Sequence, residues 1–261
     1  MSITKNKIPL IDLETWGRLA GPKSVDQWVP DRSAMETARA WLTVSSPQLP
    51  EEVAAALLSH PSFGPCRAWT GEPEVRLKFD AFPGEPRNTD LLLVCSDAHG
   101  DYLVAVEAKA DEPFADLASD ALADAVEPKI ANPGSNALVR IEQLAAAILG
   151  ARAANTPRLR DIRYQLLTAA AGVLAEANRL NISRAVLLVH EFVTDKTRDE
   201  NHHRNAADLG HFVARLSSGR ITALASGSIV GPFAVPGAPL FDKPPSLFVG
   251  KASRNIRRTV S

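Results

Sequence analysis

Two apolar stretches joined by a turn constrain this chain more than any other feature. Thr89 to Cys95 and Tyr102 to Ala110 are each long enough for a strand, and Ser96-Asp97-Ala98-His99-Gly100-Asp101 between them is rich in turn residues. The pair therefore predicts a β-hairpin. If Ser96 pairs with Asp101, paired residue numbers sum to 197, and Asp90 faces Glu107. Directly opposed residues share one face of a sheet, with Cβ atoms about 5 Å apart. Alternation then puts Lys109 on the Glu107 face, about 6–7 Å further along. Two carboxylates and one ammonium gather at one end of an otherwise apolar hairpin.

Around the hairpin the pattern is mixed α/β. Glu51 to Ser59 predicts a short helix, entered at Pro50, with acids in its first turn and Val53, Leu57 and Leu58 on one side. Glu74 to Phe82 alternates as a strand and stops at the turn Pro83-Gly84-Glu85-Pro86. A helix is expected over 115–126, ended by Pro128. Further helical stripes run from Leu138 to Leu149 and from Ile162 to Ala177. Ala185 to Val189 predicts a short buried strand, and Asn205 to Leu216 another helix. Trp16, Trp28, Ala34, Ala38 and Trp41 give the N-terminal region some helical spacing. The order predicts one α/β domain over 1–218, a mixed sheet with helices on both faces and an N-terminal helical extension. Residues 219–261 are rich in Gly and Pro. They are expected to form extended segments and loops that pack on the domain or extend from it, with a mobile basic end at Lys251, Arg254, Arg257 and Arg258.

Composition narrows the class. With 261 residues, 45% hydrophobic and 23% charged, the chain can bury a substantial core, and disorder or a disulfide scaffold is excluded as its general character. The apolar runs are too short to span a bilayer, and the first residues lack the apolar core of a signal peptide. Two cysteines cannot supply a four-thiolate zinc site. A cytoplasmic, reduced protein is expected. The net charge of −1 hides an asymmetry: residues 1–130 carry 12 Lys and Arg against 21 Asp and Glu, and residues 131–261 carry 17 against 9. A polyanion-binding side facing an acidic site has this signature, and so do two surfaces that attract each other within one fold.

Opposed like charges repel, and a divalent cation relieves the repulsion between Asp90 and Glu107. Mg²⁺ suits such a site because it takes oxygen ligands and keeps waters that a phosphate can displace. The Ala108 carbonyl offers a further oxygen. Lys109 can orient or help deprotonate a water, or neutralise charge developing on the phosphate. An internal ion pair closing a strand end is the alternative for the same residues.

These residues resemble the core motif of the PD-(D/E)xK nuclease superfamily, the restriction-endonuclease-like fold, with Thr89 standing where the superfamily has proline. The chain is similar to an uncharacterised bacterial branch of it through Thr89-Asp90, Val106-Glu107-Ala108-Lys109, Glu112-Pro113-Phe114 and Arg163-Tyr164-Gln165-Leu166-Leu167. The resemblance covers about residues 50–215. It implies hydrolysis of phosphodiester bonds in nucleic acid, DNA first, by a divalent-metal-dependent endonuclease using Mg²⁺ or Mn²⁺. Asp90, Glu107 and Lys109 carry over as the catalytic set. An upstream acid often joins such a site: Glu74 is the choice, with Glu51 and Glu52 as alternatives. Gln165 is expected near the metal, and Arg163, at the start of the same helix, on a substrate phosphate. A nuclease-fold module without chemistry, binding nucleic acid or protein, is the competing expectation. Double-strand cleavage by one site per chain would favour a homodimer.

Other residues receive blander expectations. His202-His203 reads as a solvated loop, His190-Glu191 as a strand end, Cys95 as core and Tyr164 as packing. Arg152, Arg158 and Arg160 are candidates for sequence-independent contacts with a phosphate backbone.

Overall fold

The computed structural model describes residues 2–22, 24–43, 48–84 and 87–257. A two-stranded ribbon of β1 (Thr4–Lys5) and β2 (Ile8–Pro9) opens the chain. It is followed by three helices, α1 (Leu13–Ala20), α2 (Ser33–Leu42) and α3 (Glu51–Leu58). Three antiparallel strands come next: β3 (Ala68–Leu77), β4 (Arg87–Asp97) and β5 (Gly100–Lys109). The long crossover holds α4 (Ala118–Asp124), α5 (Val126–Ala131), α6 (Ala137–Leu149) and α7 (Tyr164–Arg179). It delivers β6 (Arg184–Val193) parallel to β5, as a crossover carrying helices can. Then come α8 (Asp199–Leu216), β7 (Ser228–Phe233) and β8 (Ser246–Asn255).

The six-stranded mixed sheet runs β3-β4-β5-β6-β8-β7 and is flanked by helices on both faces. This is the α/β architecture expected. In β5 every residue from Tyr102 to Lys109 is buried, because both faces are covered. Leu103 and Ala105 pack with Leu166, Ala170 and Val173 of α7. Tyr102, Val104 and Val106 belong to the opposite cluster, with Trp16, Trp41, Val53 and Leu57 of α1 to α3. Small residues bring α7 close to the sheet: a Cβ at Gly172 would lie 3.1 Å from the Leu77 Cβ.

The Gly/Pro-rich C-terminal stretch differs from its expectation. It supplies two strands, and β8 is inserted between β6 and β7, parallel to β6 over ten residue pairs. Its basic end is tied down as far as Arg257. Lys251 pairs with Glu191 at 3.0 Å, Arg254 with Glu52 at 2.6 Å and Arg257 with Asp199. Arg258 lies outside the described residues, as do Glu85 and Pro86 of the expected turn. The expected 115–126 helix is two short helices, and Pro128 lies within the first turn of α5, where its missing N–H costs little. The strand expected at Glu74 starts earlier, at Ala68. Among the described residues no helix is long and apolar enough to cross a membrane.

Candidate functional site

The hairpin has the expected register. Ser96 pairs with Asp101 and the ladder continues to Leu91 opposite Val106. It stops one pair short of Asp90 and Glu107. There Asp90 Oδ2 accepts the Ala108 amide at 2.6 Å, and Thr89 Oγ1 donates to the Val106 carbonyl at 3.2 Å. The third strand is also distorted. Glu74 sits between the pairs Pro73–Leu91 and Val75–Thr89 with φ at +50°, in the left-handed region that side chains seldom adopt. This reverses the alternation of β3. Trp69 packs on the α1–α3 side, whereas Leu77, of the same parity, packs under α7. Backbone strain of this kind gathers at functional sites.

Four of the expected residues meet at this strand end. Lys109 Nζ is 2.9 Å from Glu107 Oε1 and donates to Gln165 Oε1 at 3.1 Å. Gln165 Nε2 donates back to Glu107 Oε1 from the first turn of α7. Asp90 is bound to the next amide along β5. Glu74 joins from the side: together with Asp90, Ser33, Thr37 and Trp16 it lines a cavity of about 100 Å³ between the strand ends and the N-terminal helices. The helical extension is therefore part of the wall of the acidic site.

Arg87 is the site residue that the sequence reading missed. Its Nη2 donates to Glu107 Oε2, and its Nη1 lies 3.5 Å from Thr168 Oγ1 of α7. Glu112 and Phe114 act one step back. Glu112 accepts the Ala110 amide at 2.7 Å and the Ser33 hydroxyl at 3.0 Å, which fixes the chain just beyond Lys109. Phe114, fully buried, presents its ring 5.3 Å from the Lys109 ammonium.

Charge is unevenly compensated. Burial pushes the Glu107 carboxyl up, but the Arg87 and Lys109 charges outweigh it and hold the group ionised, below its ordinary value. At Asp90 burial and the Glu107 charge together exceed the pull of Lys109, and its pKa rises to about 7. Glu74 is raised too, chiefly by burial. Burial works against the Lys109 ammonium, but Glu107 and Asp90 more than restore it, so Lys109 is raised and stays protonated. It stands as a cation and hydrogen-bond donor beside the two acids.

Other candidates are placed elsewhere. Arg163 is not brought to the site: its Nε pairs with Asp208 Oδ2 at 2.8 Å and its Nη1 donates to the Ala115 carbonyl, tying the start of α7 to α8. Glu52 faces His190 at 2.8 Å and Arg254, and Glu51 is exposed. His202 corrects the loop expectation, since it lies on α8, is buried, and pairs through Nδ1 with Glu191 at 3.0 Å. The 202–203 pair follows two acids that open a helix, a signal that was present in the sequence. Arg152, Arg158 and Arg160 are exposed, Cys95 is buried, and Cys66 and Cys95 are free thiols.

The site thus combines one buried and two half-buried acids, an ammonium and a bridging amide at the carboxyl end of β5, the edge where open α/β sheets bind ligands. The chain belongs to the DUF6946 family, a domain of unknown function, which matches residues 9–242. That span contains every residue of the site and ends before β8. No curated protein and no solved structure matches the chain.

Proposed function

We propose that this protein is a divalent-metal-dependent nuclease of the PD-(D/E)xK type, cytoplasmic, hydrolysing phosphodiester bonds in nucleic acid, with DNA the first substrate to test. The observation that carries this reading is the meeting of Asp90, Glu107, Lys109 and Gln165 at one strand end, from two strands and a helix. The donor set fits Mg²⁺ or Mn²⁺. Among the described residues no group of three or more His, Cys, Asp or Glu is arranged to hold a metal, but Mg²⁺ needs only one or two carboxylates and completes its shell with water and phosphate. Asp90 and Glu74 line one cavity and are both raised in pKa, so they are the acids with charge still to be compensated. Asp90 and Glu107 would hold the ion, with Glu74 beside them. Bound there, it would supply Lewis-acid stabilisation and a water of lowered pKa.

The chain's own groups do the rest. Lys109 keeps its proton and offers positive charge to the phosphate as negative charge develops on it. Gln165 accepts from Lys109 and donates to Glu107, and so sets the position of both. Arg87 keeps Glu107 ionised.

One observation favours a second reading, a silent nuclease-fold module: both Glu107 oxygens are already engaged by Arg87, Lys109 and Gln165. Cleavage of supercoiled, linear, single-stranded and RNA substrates with Mg²⁺ or Mn²⁺ separates the two. We expect metal-dependent cutting that falls by about 100-fold or more in Asp90→Ala and Lys109→Ala. Cutting by either variant at the wild-type rate overturns the assignment. No cutting, together with no Mg²⁺ binding by calorimetry, selects the silent module.

A further inference from the structure

Arg87 and Gln165, two of the three residues that hold Glu107, also line a larger cavity of about 320 Å³. Three aromatic rings, Phe79, Phe82 and Tyr164, line it together with Arg140, Lys78 and Asp80. Its residues come from the end of β3, the loop beyond it, and helices α6 and α7.

Three features define the ligand. The first is a platform already in place. Asp80 Oδ2 accepts from Arg140 Nε at 2.6 Å and the Pro83 carbonyl accepts from Nη2 at 3.1 Å, which holds the guanidinium 5.7 Å from the Phe82 ring centroid. Asp80 compensates the Arg140 charge, so the group suits a flat π-system better than a lone phosphate. The second is an unmet donor. Arg87 Nε is buried without a hydrogen-bond acceptor, in a residue that lines the cavity. A buried donor without an acceptor is uncommon, and this one lies in a residue that stands between the cavity and Glu107. The third is size. About 300 Å³ is the lower end of small-molecule sites. It has room for one nucleotide unit and not for the two units of a base pair.

We infer that this cavity receives one unstacked nucleobase of the substrate strand, next to the phosphate held at the Glu107–Lys109 centre, so that the substrate class is single-stranded nucleic acid or a strand with an unpaired nucleotide. The placement of that phosphate rests on the nuclease reading above. The base itself is recognised by ring faces, which are sequence-tolerant because every base has one. A base inside a duplex cannot enter until it leaves the stack.

The test is binding in EDTA, where nothing is cut. Calorimetry compares dAMP with 2-deoxyribose 5-phosphate. Fluorescence anisotropy compares a labelled single strand with the blunt duplex of the same sequence. Wild type, Phe82→Leu and Phe82→Trp are measured together, with thermal melting as the check on folding. Wild type is expected to bind dAMP at least tenfold more tightly than the sugar phosphate, and single strand more tightly than duplex. Phe82→Leu loses about tenfold on both base-bearing ligands, and Phe82→Trp, which keeps a ring, retains them. Equal binding of dAMP and sugar phosphate, no binding of either, or an unchanged single-strand preference in Phe82→Leu overturns the assignment. Cutting that depends on Lys109 but shows no base-dependent binding removes the pocket and leaves the nuclease reading. Base binding without any metal-dependent cutting does the opposite.

Discussion

Asp97 closes β4 and Asp90 lies near its start, and their surroundings push them in opposite directions. Asp97 is buried and fully served: it accepts the Gly64 and His99 amides at 2.9 and 2.7 Å and two Arg184 nitrogens at 3.0 and 2.8 Å. Arg184 in turn lies 5.0 Å from the Tyr102 ring centroid. Burial alone would raise both acids. At Asp97 the Arg184 and backbone hydrogen bonds outweigh burial, and the pKa falls to about 2. At Asp90 burial is reinforced by the Glu107 charge, and the pKa climbs to about 7. An acid whose ionised form is satisfied holds the fold together. An acid whose ionised form is opposed costs stability when it ionises, and shifts of this kind gather where chemistry is done. One strand carries both roles, seven residues apart.

The comparison can be broken by removing each acid in turn. The largest stability effect is expected at the served end. Asp97→Ala leaves Arg184 without its carboxylate partner and should cost about 3 kcal/mol, read from urea unfolding. A loss below about 1 kcal/mol would show that main-chain acceptors alone suffice for Arg184.

The opposed end should behave in the reverse sense. In metal-free buffer the folded pKa of Asp90 lies above its ordinary value of 3.8, so its contribution is intact below about pH 4 and is lost as pH rises through 7. Asp90→Asn should therefore melt higher than wild type at pH 8 and close to it at pH 4. Asp97 runs the other way, because its folded pKa lies below 3.8: its contribution is present above about pH 4 and lost as pH falls towards 2. A wild-type Asp90 that titrates near 4 by carboxyl NMR would collapse the contrast. Mg²⁺ sharpens it. Added at pH 8, the ion should raise the melting temperature of wild type and leave Asp90→Ala unmoved.

The smallest effect concerns Arg163. Because it serves Asp208 and the Ala115 carbonyl, Arg163→Ala should cost about 1 kcal/mol of stability and leave metal-dependent cutting within a few-fold of wild type. A hundredfold loss of cutting in a stably folded variant would return Arg163 to the site.

Much of the candidate site was legible because its parts are local. The turn between Ser96 and Asp101 sets the hairpin register, which carries Asp90 to the strand end next to Glu107, where the Ala108 amide holds it. Gln165 was legible through its motif, and α7 carries it to the same strand end because the apolar stripe from Leu166 to Ala177 leaves one face for the sheet. Arg87 was not legible. It lies three residues from Asp90, so regular alternation would turn the two to opposite faces. The reversal at Glu74 in the neighbouring strand accompanies its turn towards α7 and Glu107. His202 was hidden for a related reason. A histidine pair among charged residues looks solvated until β6 supplies Glu191 beneath it. β8 was hidden by composition, since Pro244 and Pro245 just before Ser246–Asn255 and Gly250 within it mask a strand that pairs with β6.

By itself, then, the sequence determined the hairpin, its register, the helices with a clear apolar stripe and the three charged residues at the strand end. These follow from turn chemistry and from periods of 2.0 and 3.6 residues, which act over a few neighbours. Only the tertiary structure decided which cation neutralises Glu107, that Asp90 and Glu74 share a cavity roofed by α1 and α2, and that Arg87 and Gln165 face an aromatic pocket on α6 and α7. Burial and Coulomb interaction depend on what lies nearby in space, and residues as distant in the chain as Trp16 and Asp90, or Phe82 and Tyr164, become neighbours only when the sheet and its helices close on one another.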